Sequence, residues 1–535
     1  MTSVCSSAGK LRKKSAVLQL TSAAQLPAHT NCLSCSDDDK YLTIGHARGL
    51  SVWCSSTLTC EATWQQDKLE ITSVHMVTTC ETSYLLASID DMGVARVFLY
   101  NLESIYLFSV INTLDDINKR SICLNFDISE GGNYGAITMN CNSDIWLDIY
   151  LFPVEDWLRE LKDPKISANM KWSPAARVNK IIPTAANMAD SSDLLTHCLI
   201  LDETNEPPRH CTYHFLMKCG PCHGENKPTP AGCPVIVCFW WNGSYNLLYH
   251  TLSKTPKSKQ DPEPQPSVLW PNAAEILCSA VSRCTRFIVL GLSNTLVCVW
   301  DRLVGAPLSV CTLSTDSAFL RLQFVEYWPA CTDITQTLTA GEIHLMVVCK
   351  SGALYVMNTR RGAAAVTLQL SQRPQDSRDM LTVTASVAFL KGLVLVVHRN
   401  GKMFLQDAVN KAIVCALIPP TGHLLATPCN PVYTLNDKQH ILFMLGDKEP
   451  TGCSSSLKHK RQRQLLVLRF DEHDVIEPYV VSHLQFPWQQ KTSVTGEDAC
   501  NMYLQKRALS LDERHKALTE TWKRLQATTG ADVKT

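Results

Sequence analysis

At 535 residues the chain is longer than one hydrophobic core of ordinary shape can organise. Hydrophobic residues make up 45% and charged residues 19%, which excludes a disordered polyelectrolyte. Lys+Arg and Asp+Glu each number 50, so no global field draws the chain to nucleic acid or to an anionic membrane.

The amino terminus, MTSVCSSAGKLRKK, has basic residues with no apolar run after them, so export is not expected. The 24 cysteines are then expected as reduced thiols packed as small hydrophobes. No apolar run approaches the ~18 residues of a membrane span. The longest, Pro234–Trp241, has strand length. A soluble intracellular protein is the expectation.

Residues 1–28 read as a tail, in which Ser15–Leu20 (SAVLQL) is a candidate strand completing the last unit of a ring. From there the chain repeats one pattern: a polar turn, a short apolar strand, a tight turn and a second strand. The copies are clearest at Ser36–Trp53, Glu81–Phe98 and Arg283–Asp301, whose second strands end in Val52-Trp53, Val97-Phe98 and Val299-Trp300-Asp301. Weaker copies pair Tyr134–Met139 with Ile145–Tyr150, Val235–Phe239 with Tyr245–His250, and His344–Val348 with Ala353–Met357. Two more pair Leu393–His398 with Lys402–Leu405 around Asn400-Gly401, and Ile441–Leu445 with Gln464–Phe470. Asn-Gly between two apolar runs is the strongest short hairpin signal in the chain.

Short apolar runs of this kind are strands covered on both faces, as in the middle of a propeller blade, with the terminal aromatic filling the wedge to the next blade. Eight candidate hairpins give seven or eight blades. Two stacked β-sandwiches are the competing arrangement, but they leave the repeated turn-strand-turn-strand-aromatic order unexplained. Between the hairpins, Glu155–Leu161 reads as a short helix and Lys162–Asp193 lacks alternation. Glu203–Ala231 and Ser253–Ser267 read as Pro-, Lys- and Glu-rich surface loops. The propeller is assigned to 29–485, with insertions near 155–193, 203–231, 253–267 and 450–463, and a helical segment to 486–535.

After Glu497 the apolar period becomes about 3.5, with Leu504, Ala508, Leu511, His515, Leu518, Trp522 and Leu525 on one stripe over about three heptads. This amphipathic helix either packs on the propeller or anchors a partner. Leu504, Leu511, Leu518, Trp522 and Leu525 are its partner-binding candidates.

Chemistry-bearing motifs are few. Cys219-Gly220-Pro221-Cys222-His223 matches a haem-attachment pattern and, in its core, a redox dithiol, yet the following GENKPTPAG cannot form the helix a redox dithiol needs. Cys211, Cys219, Cys222, His223 and Cys233 are the zinc candidates, weighed against an inert Cys-rich loop, which is preferred. Asn242-Gly243-Ser244 reads as a turn rather than a glycosylated sequon. Leu457–Arg463 (LKHKRQR) reads as a solvated loop, with binding to an acidic protein surface such as tubulin as the alternative. Asp37–Asp39 and Asp90-Asp91 fall at turns, where Asp satisfies local backbone. No phosphate-binding glycine loop, nucleophile elbow or paired helical His ligands are found, so no catalytic residue or cofactor is assigned.

The repeat resembles WD40, in degenerate form, since only Trp300-Asp301 gives the literal dipeptide. Trp53, Phe98, Trp300 and Asp301 are the blade-defining residues on this resemblance. From Asn31 to Trp157, with LSCSDDDKYLTIGHARGLSVWCSSTLTC, YLLASIDDMGVARVF and SVINTLDDINKRSICL, the chain resembles the WD repeat-containing protein 93 family. That resemblance implies a non-catalytic scaffold of motile cilia and sperm flagella, in the axonemal central apparatus among microtubule-bound neighbours. It also implies protein partners and neither nucleic acid nor membrane insertion. A general cytosolic adaptor is the alternative. A mitochondrial electron-transport or metal role ranks low, because the chain shows neither an Arg- and Ser-rich targeting segment nor a cofactor motif.

Overall fold

Alternating apolar runs separated by tight turns can satisfy their backbone groups only by pairing, and all eight sequence hairpins do so. In the computed structural model they are Tyr41–His46 with Gly49–Cys54, Ser83–Asp90 with Ala95–Asn101, Tyr134–Cys141 with Asp144–Leu151, and Pro234–Trp241 with Asn246–Thr251. The other four are Phe287–Leu292 with Leu296–Asp301, Ile343–Cys349 with Leu354–Thr359, Leu393–His398 with Met403–Asp407, and Ile441–Lys448 with Arg463–Arg469. The structure describes residues 16–80, 82–112, 121–142, 144–162, 172–183, 210–217, 234–252, 266–313, 315, 317–326, 342–360, 365–449, 462–481, 515–516 and 518–523.

Each hairpin is the middle of a blade and gains one strand inside and one outside. The inner strands of blades 1 to 7 are Cys32–Cys35, Ile71–Cys80, Ile122–Ile128, Cys211–Met217, Ile276–Val281, Phe319–Phe324 and Leu381–Ser386. The outer ones are Cys60–Gln65, Ser104–Val110, Ala176–Ile181, Ser267–Pro271, Ala306–Thr312, Val366–Ser371 and Ile413–Ile418. In blade 8 the inner position is shared by His423–Leu425 and Tyr433–Asn436, which pair with two halves of Ile441–Lys448. The result is an eight-bladed β-propeller.

Packing explains why the ring holds. Every hydrophobic cluster joins two neighbouring blades, and together the clusters cover all the interfaces from 1–2 round to 8–1. The 8–1 cluster, for example, puts Leu33, Leu42 and Ile44 against Phe443, Leu445 and Val467. No blade owns its core, so each is stable only between two others.

Ring closure differs from the expectation. Ala16–Gln19 does not complete the last blade; it lies parallel to Ile413–Ile418 as a fifth strand on blade 7. The next segment, Thr21–Gln25, runs antiparallel to Arg463–Arg469 and completes blade 8. The reason is visible side chain by side chain: Leu18 and Leu20 sink into the 7–8 core, whereas TSAAQ is mostly exposed and holds blade 8 through its backbone and the Thr21 and Ser22 hydroxyls, which donate to the Val467 carbonyl and Gln464 Oε1. One segment thereby latches two blades.

Two stretches read as irregular contain ladder strands. Ala176–Ile181 lies where alternation is lacking, and Cys211–Met217 lies inside the expected 203–231 loop. The helix expected at 155–161 spans Val154–Lys162 and is no loose insertion. Its Trp157 is fully buried, stacked on Phe108 of blade 2 at 5.0 Å, with its indole N–H donating to the Ser173 carbonyl at 2.6 Å.

Candidate protein-interaction site

The aromatics that end the third strands sit where wedge filling requires. Phe98 of blade 2 meets the Trp64 ring of blade 1 edge-on at 4.8 Å. Trp300 of blade 5 stacks on Trp270 of blade 4 at 4.6 Å and an interplanar angle of 12°. Trp53 packs on the core shared by blades 8 and 1, and its Nε1 donates to Ser51 Oγ at 2.9 Å. Asp301 is fully buried and takes a two-point grip from Arg286, whose Nε and Nη2 donate at 3.0 and 2.8 Å. Asp90 with Arg96 in blade 2 and Asp447 with Arg463 in blade 8 are further buried carboxylate–guanidinium pairs, each through Nη1, at 2.6 and 2.9 Å. These charges are spent on the fold.

The loops joining inner to second strands define one face, and they converge on the channel mouth. Arg283 of blade 5 donates from Nη1 to Asp437 Oδ2 of blade 8 at 3.3 Å, and its backbone N–H donates to Glu326 of blade 6 at 3.2 Å. Blades 5 and 8 are not neighbours, so the first bond crosses the channel. Asp37–Asp39 do more here than satisfy their own turn. Asp38 does accept from the Lys40 backbone at 3.2 Å, but its other oxygen takes the Tyr84 hydroxyl of blade 2 at 2.8 Å. Asp37 takes the Thr78 backbone N–H of blade 2 at 2.8 Å, and Asp39 takes that of Lys438 in blade 8 at 3.1 Å. Asp90 keeps to the expected turn role, accepting from Met92 and Val94 at 2.9 and 2.8 Å.

The electrostatics of this mouth are uneven. Burial and the nearby Asp437 push Asp39 up to about 6. Burial also raises Asp437, Glu326 and Glu130, the last further through Asp37. Burial would raise Asp38 too, but hydrogen bonds from Ser36, Tyr84 and Lys40 hold it below the usual range.

One hydroxyl–imidazole contact stands out: Ser279 Oγ lies 2.8 Å from His214 Nε2 and also accepts from Trp240 Nε1 at 2.8 Å. Burial pushes His214 down to about 4, and among the described residues no carboxylate hydrogen-bonds its ring, so the trio reads as an interblade hydrogen-bond network. Burial likewise pushes the thiols of Cys32, Cys35, Cys123, Cys238, Cys278 and Cys298 up to about 12. These are packing groups rather than nucleophiles. Among the zinc candidates, Cys211 is buried in a strand opposite Trp241, with its thiol raised well above the ordinary value by burial. Cys219, Cys222, His223 and Cys233 lie outside the described residues. Among the described residues no group of three or more His, Cys, Asp or Glu is placed to hold a metal.

Of the partner-binding candidates, Leu518 and Trp522 lie on a helical turn at 518–523 and are 45% and 64% exposed. Leu504, Leu511 and Leu525, and most of Leu457–Arg463, lie outside the described residues. No helix among the described residues is long and apolar enough to cross a membrane.

Eight sheets of four or five strands around a channel, interblade aromatic wedges and a latched ring define a WD40-type β-propeller, a class of generally non-catalytic protein-binding scaffolds. The profile of WD repeat-containing protein 93 matches residues 30–199 and 193–297. The chain belongs to that family. Among solved structures, Sqt1 of Saccharomyces cerevisiae is 10% identical with a TM-score of 0.46, covering 85% of this chain and 99% of its own. Sqt1 of Chaetomium thermophilum, bound to the N-terminus of the ribosomal protein L10, is 11% identical with a TM-score of 0.44, covering 81% and 98%. The computationally designed Ika8 protein is 12% identical with a TM-score of 0.45, covering 84% and 99%. Likeness at this level says nothing of function.

Proposed function

We propose that this WD40-type scaffold is a structural component of motile cilia and sperm flagella, seated in the central apparatus of the axoneme among microtubule-associated neighbours. One observation carries the scaffold reading: the buried charge pairs are consumed within blades and the aromatics and thiols in the cores between them, so recognition falls to loops and appended segments. Membership of the WD repeat-containing protein 93 family supports the ciliary placement. On this reading the protein is cytoskeletal and reaches microtubules through protein partners. Proximity labelling of the tagged chain in multiciliated cells or sperm tests it. Enrichment of axonemal proteins that survives mild detergent is expected; complete release by detergent, with neighbours typical of soluble complexes, would favour the general cytosolic adaptor instead.

A further inference from the structure

The face opposite the acidic mouth carries a second charged region of different construction. Three loops of blades 6 and 7 meet there: the turn at 350–352, the connector at 372–380 and the turn at 399–402. They are fastened to one another. The backbone N–H of Arg399 donates to the Met380 carbonyl at 2.9 Å, and that of Asn400 to the Arg378 carbonyl at 3.0 Å. Gly352, at φ +84°, lies so close to the connector that an added Cβ would meet Pro374 Cδ at 3.0 Å and Met380 Sδ at 3.1 Å.

These loops present Lys350, Arg373, Arg378, Arg399 and Lys402, all exposed, against the carboxylates of Asp376 and Asp379. Both carboxylates are engaged within the loops. Asp376 accepts the Arg378 backbone N–H at 2.8 Å, and Asp379 accepts from the Asn400 side-chain amide at 2.6 Å with Lys402 Nζ at 3.6 Å. Lys350, Arg373 and Arg399 have no ion pair among the described residues. In a chain of zero formal charge, such a patch is a local excess on a pre-ordered frame.

The composition of the loops selects the partner. They contain no Trp, Tyr or Phe on which bases could stack, and none of their residues is an exposed large hydrophobic that could enter a bilayer. Arginine dominates, and its planar fork matches carboxylates in pairs. We propose that this surface docks an acidic peptide segment of a partner protein, a proposal that rests on the scaffold reading and gives it a point of contact.

The test uses the full-length protein and a short fluorescein-labelled oligoglutamate peptide, read by fluorescence anisotropy. Saturable binding is expected that weakens as ionic strength rises past the physiological range of about 0.15 M. R373E/R399E should weaken binding by about tenfold or more, while R159E, on the exposed outer face of the Val154–Lys162 helix, should leave it unchanged. Circular dichroism and melting of each variant establish folding. Binding that R373E/R399E does not weaken, or equal weakening by R159E, overturns the proposal. So does tighter binding of a single-stranded oligonucleotide or of phosphatidylserine vesicles than of the peptide. Should the peptide fail to bind while R373E/R399E keeps its axonemal neighbours in ciliated cells, the patch is refuted and the scaffold reading stands.

Discussion

The two faces of the disc carry charge in opposite ways. At the channel mouth, carboxylates from blades 1, 3, 6 and 8 surround Arg283, and most are tied across blade boundaries: Asp37 to Thr78, Asp38 to Tyr84, Asp39 to Lys438, Asp437 to Arg283. On the loops of blades 6 and 7, the carboxylates are absorbed locally and three cations remain without ion pairs among the described residues. A charge bonded to a neighbouring blade serves the ring, because moving it disturbs two units. A charge on a fastened but unneutralised loop can be satisfied from outside without cost to the fold.

That contrast can be broken or sharpened by substitution, and the largest effect is expected where a buried pair is split. Asp301→Ala would strand Arg286, which remains partly exposed, and should cost about 3 kcal/mol in urea unfolding. A loss below about 0.5 kcal/mol would show that the pair is incidental. Leu20→Ala tests the latch: Leu20 is 1% exposed in the core of blades 7 and 8, so about 2–3 kcal/mol should be lost.

Asp39 gives a gain. Its folded pKa of about 6 lies above the ordinary 3.8, so the folded state holds the proton more tightly and loses stability as pH rises from about 4 through 6. Asp39→Asn removes that ionisation, keeps an acceptor for the Lys438 N–H and suits the φ of +63°. Melting at pH 7 should show a gain on the order of 1 kcal/mol, allowing for solvent screening, that vanishes below about pH 4. A gain independent of pH would mean that backbone conformation, not the buried ionisation of Asp39 beside Asp437, is the cause. The smallest effect on stability is expected for Arg399→Glu, within about 0.5 kcal/mol of the parent, despite its effect on peptide binding.

How much of this was legible in the sequence follows the same physics. Second and third strands are covered on both faces by neighbouring blades, so runs such as Tyr84–Ile89 and Leu393–His398 stood out as apolar. Ala176–Ile181 and TSAAQ at Thr21–Gln25 are covered less fully than the middle strands, which is why the first passed as irregular and the second gave no apolar signal. Cys211–Met217 was hidden by its Pro- and Lys-rich flanks, although its Cys211, Tyr213 and Leu216 are buried. Turn chemistry gave Asp90 its correct role but understated Asp37 and Asp39, whose partners in blades 2 and 8 are distant in sequence. The basic surface was invisible for a related reason: Lys350, Arg373 and Arg399 are scattered along the chain and become neighbours only when three loops are fastened together.

The central claim, that one face holds the ring and the other receives a partner, is tested most directly by reversing one charge on each face and reading stability and affinity together. Arg283→Glu should lower the melting midpoint, by losing the bond to Asp437 and adding a charge among carboxylates, while leaving oligoglutamate affinity unchanged. R373E/R399E should leave the midpoint unchanged and weaken the affinity. A melting midpoint insensitive to Arg283→Glu, or a loss of peptide binding from that variant equal to the loss from R373E/R399E, would contradict the division of labour between the two faces.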